Sequence, residues 1–79
     1  GAGSPDPDAR LRDAYQALGV SAEDADAVIK KSYRRLMSEN HPDKLVAKGV
    51  PDEMIKLATA RSQDISSAYA VIKTARGFR

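Results

Sequence analysis

The stretch KKSYRRLMSENHPDK, Lys30 to Lys44, decides the fold. Ile29, Tyr33, Leu36 and Asn40 fall within one narrow arc of a helical wheel, with Ser32 and Met37 at its edges. Lys30, Lys31, Arg34 and Arg35 take the opposite arc. The segment therefore reads as an amphipathic helix, one face for a core and a basic face for something else. His41-Pro42-Asp43 then stops it, because Pro42 cannot continue the ladder and pushes His41 out of helical dihedrals. A basic helix face running into a rigid turn is the arrangement the chain presents.

Upstream, Leu11, Ala14, Tyr15 and Leu18 give the spacing of a short helix with one apolar face. Gly19 suits the left-handed position that ends it, and Val20 drops toward the core. Asp24 is the better N-cap for the central helix, with Ser21 as an alternative starting a turn earlier. Downstream, Lys44 to Val50 reads as a loop, and Pro51 with Asp52 and Glu53 as a helix start. Met54, Ala58, Arg61, Ile65, Ala68 and Ile72 then repeat at 4-3-4-3-4, the seam of a helix packed at a shallow angle along another. Gly77, with Lys73 and Arg76 nearby, marks its end at about Ala75. No alternating run or hairpin dipeptide signals a strand. The expected fold is all-α: helices at about Asp24–Glu39 and Pro51–Ala75 packed antiparallel, a short N-terminal helix against them, and the His41-Pro42-Asp43 turn exposed near one end.

At 79 residues the chain is one small domain. Gly1-Ala2-Gly3-Ser4 reads as an expression scar and residues 1–8 as a flexible, proline-broken lead-in, leaving 9–79 as the domain, a fragment of something longer. There is no cysteine, so no disulfide scaffold and no thiolate metal site. No apolar run is long enough to span a bilayer. The net charge of +2 is unevenly spread. Residues 1–27 hold six acids against two bases, 28–48 six bases against two acids. That compact basic middle suits a local acidic protein surface better than nucleic acid, for which exposed stacking aromatics are also missing. The single histidine sits in a proline turn, with no phosphate loop and no paired carboxylates around it. The expectation is a non-enzyme with no cofactor and no metal.

Ile29-Lys30-Lys31-Ser32-Tyr33-Arg34-Arg35-Leu36 followed by His41-Pro42-Asp43-Lys44 resembles the J domain of the DnaJ co-chaperone family. Ala14 to Val20 is similar to that family's opening helix, and Ile65-Ser66-Ser67-Ala68-Tyr69 to its third. Lys44 to Met54 and the ending Arg76-Gly77-Phe78 look most like the DnaJ-like protein A subtype. There, the resemblance implies, the J domain ends a bacterial inner-membrane protein and faces the cytoplasm. Two positions depart from the family pattern. Ser62 stands where a phenylalanine is common, so Met54 and Leu57 are expected to fill that part of the core. Gln63 stands where a base is frequent.

By itself, a His-Pro-Asp tripeptide is a helix stop, with Asp43 accepting backbone hydrogen bonds. The resemblance implies instead that His41, Pro42 and Asp43 contact a DnaK-type heat-shock chaperone, at its ATPase domain and interdomain seam, and trigger its ATP hydrolysis. It carries over Lys30, Arg34 and Arg35 as further contacts, with Lys44 beside them and Lys31 a weaker match. Tyr33 reads as core, with its hydroxyl at the partner face as the alternative. The implied function is a co-chaperone module, monomeric as a fragment and without nucleic-acid or membrane contact of its own. The alternative is a J-like docking domain without ATPase coupling. Arg61, on the seam, needs a partner or a snorkelling route.

Overall fold

The computed structural model describes residues 6–78. Within them lie four helices and no strand: α1 (Pro7–Ala17), α2 (Asp26–Glu39), α3 (Pro42–Ala47) and α4 (Asp52–Arg76). The helix α1 begins earlier than the proline-broken reading of residues 1–8 expects. Pro7 takes the first helical position, where its missing N–H is harmless, and the Asp6 carboxylate accepts from the Asp8 N–H at 3.1 Å. The remainder of that lead-in, residues 1–5, lies outside the described residues. At its other end α1 closes as expected. Gly19 is left-handed, the Gly19 N–H donates to the Gln16 carbonyl, and the Val20 N–H donates to that of Tyr15.

The long helices run antiparallel, and three ties fix their register. At one end the Ser62 hydroxyl donates to the Asn40 carbonyl at 2.8 Å. Midway, Tyr33 stacks on Tyr69 with ring centroids 3.9 Å apart. At the other end Arg76 pairs with Asp26 at 2.7 Å. Leu18, Ile29 and Ile72 are completely buried between α1, α2 and α4, with Ala14, Tyr15, Ile65 and Ala68 around them. Each fully buried Leu or Ile contributes about 1.5–3 kcal/mol relative to exposure. The Ser32 hydroxyl adds a bond to the Leu18 carbonyl at 2.7 Å, tying the end of α1 to α2.

The start of α2 differs from expectation by two residues. Neither Asp24, the expected N-cap, nor its alternative Ser21 caps the helix; the Ser21 N–H donates to the Asp24 carboxylate at 2.8 Å, while the Ser21 hydroxyl accepts from the Glu23 N–H. The two side chains close a turn on each other, and α2 starts after it. The far end of the α4 seam also differs. Ala58, Ile65, Ala68 and Ile72 are buried, but Met54 is 58% exposed and Arg61 is also exposed. Ser62 sits opposite the last turn of α2, so the ten residues from Asp52 to Arg61 overhang it by about 15 Å. Periodicity continues through the overhang beyond the reach of α2; only the short α3 lies against it, and Ala58 is the residue that is buried there. For the same reason Met54 and Leu57 do not fill the space left by the missing phenylalanine: Leu57 is 67% exposed. Ser62 instead makes its polar tie to Asn40. Arg61 lies at the rim of a shallow groove with Leu45, Val50, Met54 and Leu57, its charge in solvent.

Candidate partner-binding site

The segment Lys44–Val50, expected as a loop, is mostly helix. Pro42 sits at the first position of α3, Asp43 in its first turn, and His41 in extended conformation as its N-cap. The pattern is the one that marked Pro51, and it applies equally here. Gly49, at φ 76°, ends the helix: its N–H donates to the Val46 carbonyl, and the Val50 N–H donates to that of Leu45. His41-Pro42-Asp43 is therefore a helix start following a helix stop.

That geometry assigns each atom of the turn. His41 Nδ1 accepts from the Asp43 N–H at 3.2 Å, and the His41 carbonyl accepts from the Leu45 N–H at 3.2 Å. A ring nitrogen that accepts carries no proton, so in the neutral imidazole the N–H lies on Nε2. His41 is exposed, and Nε2 is left for an outside acceptor. The Asp43 carboxylate is exposed too and joins no ion pair among the described residues. A bond from the Asp43 backbone N–H to the imidazole thus stands in place of the expected bond from backbone to the Asp43 carboxylate. Behind the turn, the Asn40 side-chain amide donates to the Leu36 carbonyl at 2.9 Å and closes α2. The turn is held from both sides by local hydrogen bonds.

The basic residues divide. Arg34 and Arg35 are exposed on the outer arc of α2, and so is Lys31. Lys44 reaches back from α3 to donate to the Ser38 hydroxyl at 2.7 Å. Ser38 lies one turn beyond Arg34 on the same arc, so Lys44 extends the basic row to the edge of the His41 turn. His41, Asp43, Lys44, Ser38 and Met37 line one shallow depression there. Lys30 does not join the outer arc. It is half-buried beside the core, with its ammonium 5.0 Å from the centre of the Phe78 ring. Position explains this, since Lys30 sits about 20° from Met37 on the wheel, at the margin of the apolar arc. Tyr33 packs, stacked on Tyr69.

At the opposite end of the molecule, Arg76 binds three groups. Its Nε donates to the Tyr15 hydroxyl at 3.0 Å, Nη1 to the Asp26 carboxylate at 2.7 Å, and Nη2 to the Ala22 carbonyl at 2.8 Å. The hydrogen bonds to Tyr15 and then Asp26 raise the guanidinium's pKa above its already high ordinary value. This fork joins α1, the α1–α2 turn, α2 and α4. Periodicity placed Arg76 near a helix end and could not reveal its partners, which lie fifty and more residues away.

Residues 13–76 match the family described as the DnaJ domain. The chain belongs to that family. Among curated relatives, the DnaJ domain is 56% identical over 71 residues to the co-chaperone protein DjlA of Coxiella burnetii, covering 90% of this chain and 26% of that protein. It is 52% identical over 69 residues to DjlA of Shewanella oneidensis, covering 87% and 26%. With DjlA of Pasteurella multocida it shares 55% over 67 residues, covering 85% and 23%. The chain thus spans about a quarter of the length of these relatives. No solved structure matches the DnaJ domain significantly.

Proposed function

We propose that this DnaJ domain is a co-chaperone module that binds a DnaK-type heat-shock chaperone and stimulates its ATP hydrolysis. His41, Pro42 and Asp43 would make the decisive contact, with Arg34, Arg35 and Lys44 aligning it and Lys30 at the edge. The observation that carries this reading is the state of the turn. His41-Pro42-Asp43 is locked by its own backbone bonds while Nε2 and the Asp43 carboxylate remain unspent and exposed. A preformed, exposed donor and acceptor can enter a partner's seam with little ordering entropy. The carboxylate can there accept both N–H groups of an arginine. The basic row would act mainly on encounter and registry, as surface charges do. The chemistry itself stays in the partner.

The test is single-turnover hydrolysis by a purified DnaK-type chaperone, paired with thermal melting of this domain. Because His41 is an N-cap, His41→Gln removes both an imidazole and a cap, and the cap alone is worth about 0.5–2 kcal/mol. His41→Asn also removes the imidazole but keeps a good cap, its amide oxygen replacing Nδ1 as the acceptor and nothing replacing Nε2. Both variants should retain the helical hairpin and lose stimulation. Full stimulation by His41→Asn would mean the imidazole serves only α3, and the reading would fail. Binding without stimulation by the wild type would favour a docking domain. Arg34→Ala with Arg35→Ala should weaken binding while shifting stability by no more than about 0.5 kcal/mol. Binding should also weaken as salt rises, and insensitivity to ionic strength would remove the steering role.

The proposal extends to the parent protein, read from the resemblance as anchored in a bacterial inner membrane with this domain on the cytoplasmic side. Among the described residues no helix is long and apolar enough to cross a membrane. Fractionation of the full-length protein, with protease accessibility of this domain from each side, decides that placement.

A further inference from the structure

The chain does not stop at the end of α4. Gly77 turns left-handed at φ 68°, its N–H donating to the Lys73 carbonyl at 2.8 Å, and sends Phe78 back toward the bundle. Phe78 is half-buried there, its ring 5.8 Å from that of Tyr69 and inclined by 53°. Tyr69 is in turn stacked on Tyr33 of α2. Over the Phe78 ring, at 5.0 Å from its centre, stands the ammonium of Lys30. The contacts form one continuous row, Tyr33, Tyr69, Phe78, Lys30, which leaves α2 at Tyr33 and returns to it at Lys30 by way of α4 and the residue that follows it.

Two consequences follow for Lys30. A lysine on an exposed arc samples many rotamers, and a ring face within about 6 Å attracts its ammonium enough to select among them. The ring also has no acceptor atom, so all three N–H donors stay available to an outside oxygen. Phe78 therefore restricts where the charge sits without consuming it. Arg34 and Arg35, exposed on the outer arc, stand over no aromatic ring among the described residues.

We propose that Phe78 is a positioning residue for the chaperone interface: held by Gly77 and Tyr69, it fixes the Lys30 ammonium as the preorganised charge of the basic helix. This rests on the function proposed above. It assigns Gly77 and Phe78, which follow α4, a part in partner recognition, through Lys30 and without touching the partner.

The experiment has one arm in the free domain and one with the chaperone. In the free domain, proton NMR should place the Lys30 side-chain methylenes upfield of those of the other lysines. Phe78→Leu should return them to ordinary positions, and Phe78→Trp should retain the shift. With a purified DnaK-type chaperone, Phe78→Leu should weaken apparent affinity by roughly two- to five-fold, the range expected for losing one exposed cation–π contact. Lys30→Ala should weaken it similarly, Phe78→Trp should match wild type, and Phe78→Leu added to Lys30→Ala should have no further effect. A merely structural Phe78 would behave differently, weakening affinity with or without Lys30 present. That additivity would overturn the proposal, as would wild-type affinity in Phe78→Leu, or tighter binding, which would make the ring a competitor. Absence of the upfield shift in the wild type overturns it without reference to any partner. A wild-type domain that shows the shift and does not bind the chaperone overturns the function reading, and the role of the contact with it.

Discussion

The two ends of the helical hairpin are built differently. At the end holding Arg76, three helices converge on Leu18, Ile29 and Ile72, all without exposed surface, and a guanidinium fork joins four segments over them. At the end holding His41, α3 has no buried residue, α4 overhangs α2, and Met54, Leu57 and Val46 are exposed. One end keeps the fold. The other presents a turn stabilised by hydrogen bonds within its own five residues. The lesson is a separation of duties: the proposed contact surface can change with little effect on folding, because its geometry is local, while the core end tolerates little.

The largest expected effect is therefore at the core end. Ile72→Ala should destabilise by about 2–5 kcal/mol, since its neighbours on three helices cannot all collapse into the space it leaves. In a domain this small each kcal/mol lowers Tm by about 4–8 °C. Thermal or denaturant melting measures it. A loss under about 1 kcal/mol would show a core loose enough to refill, and the contrast between the ends would disappear.

The core end was also the more legible in the sequence. Leu11, Ala14, Tyr15 and Leu18, then Ile29, Tyr33 and Leu36, then Ile65, Ala68 and Ile72 form three stripes that specify which faces meet. Gly19 and Gly77 marked helix ends correctly, because a left-handed residue is a local requirement readable in one letter. At the other end the same logic misled. The 4-3-4-3-4 repeat reaches Met54, but periodicity says only which residues share a face, not how far the opposing helix extends. Pro42, Asp43 and Gly49 do carry the signal for α3, but the same His41-Pro42-Asp43 also ends α2, and one proline serves as both stop and start. The candidate residues themselves were legible only as a pattern. That His41 uses Nδ1 on its own backbone, that Lys44 returns to Ser38, and that Lys30 rests on Phe78 are facts of three-dimensional approach.

Between the ends, Ser62 marks where the pairing of α2 and α4 stops. Ser62→Ala removes one hydrogen bond to the Asn40 carbonyl, and should destabilise by about 0.5–1.5 kcal/mol. The methyl that remains fits where the serine stood, so the loss is the bond alone. Amide exchange should rise at Asn40 and in the first turns of α4 while the residues around Ile72 keep their protection, because the tie lies at the margin of the core. Uniform loss of protection would mean that the overhang and the core unfold as one unit.

The smallest expected effect sharpens the comparison most. Leu57→Gln places an amide at a position that the missing phenylalanine nominates as interior, a change that in a true core would leave buried polar atoms unpaired and cost about 1–3 kcal/mol or more. At 67% exposure the amide meets water instead, and glutamine is nearly as good a helix former as leucine, so the shift should lie within about 0.5 kcal/mol. Melting of the variant beside Ile72→Ala reads both ends on one scale. A destabilisation of 2 kcal/mol or more, roughly that of a core site, would show that the overhang folds down over Leu45 and Val50 in solution. The groove beside Arg61 would then be closed, and the end carrying His41 would rest on packing rather than on local hydrogen bonds. A near-zero shift keeps the two ends distinct and leaves the His41 turn supported by its own backbone.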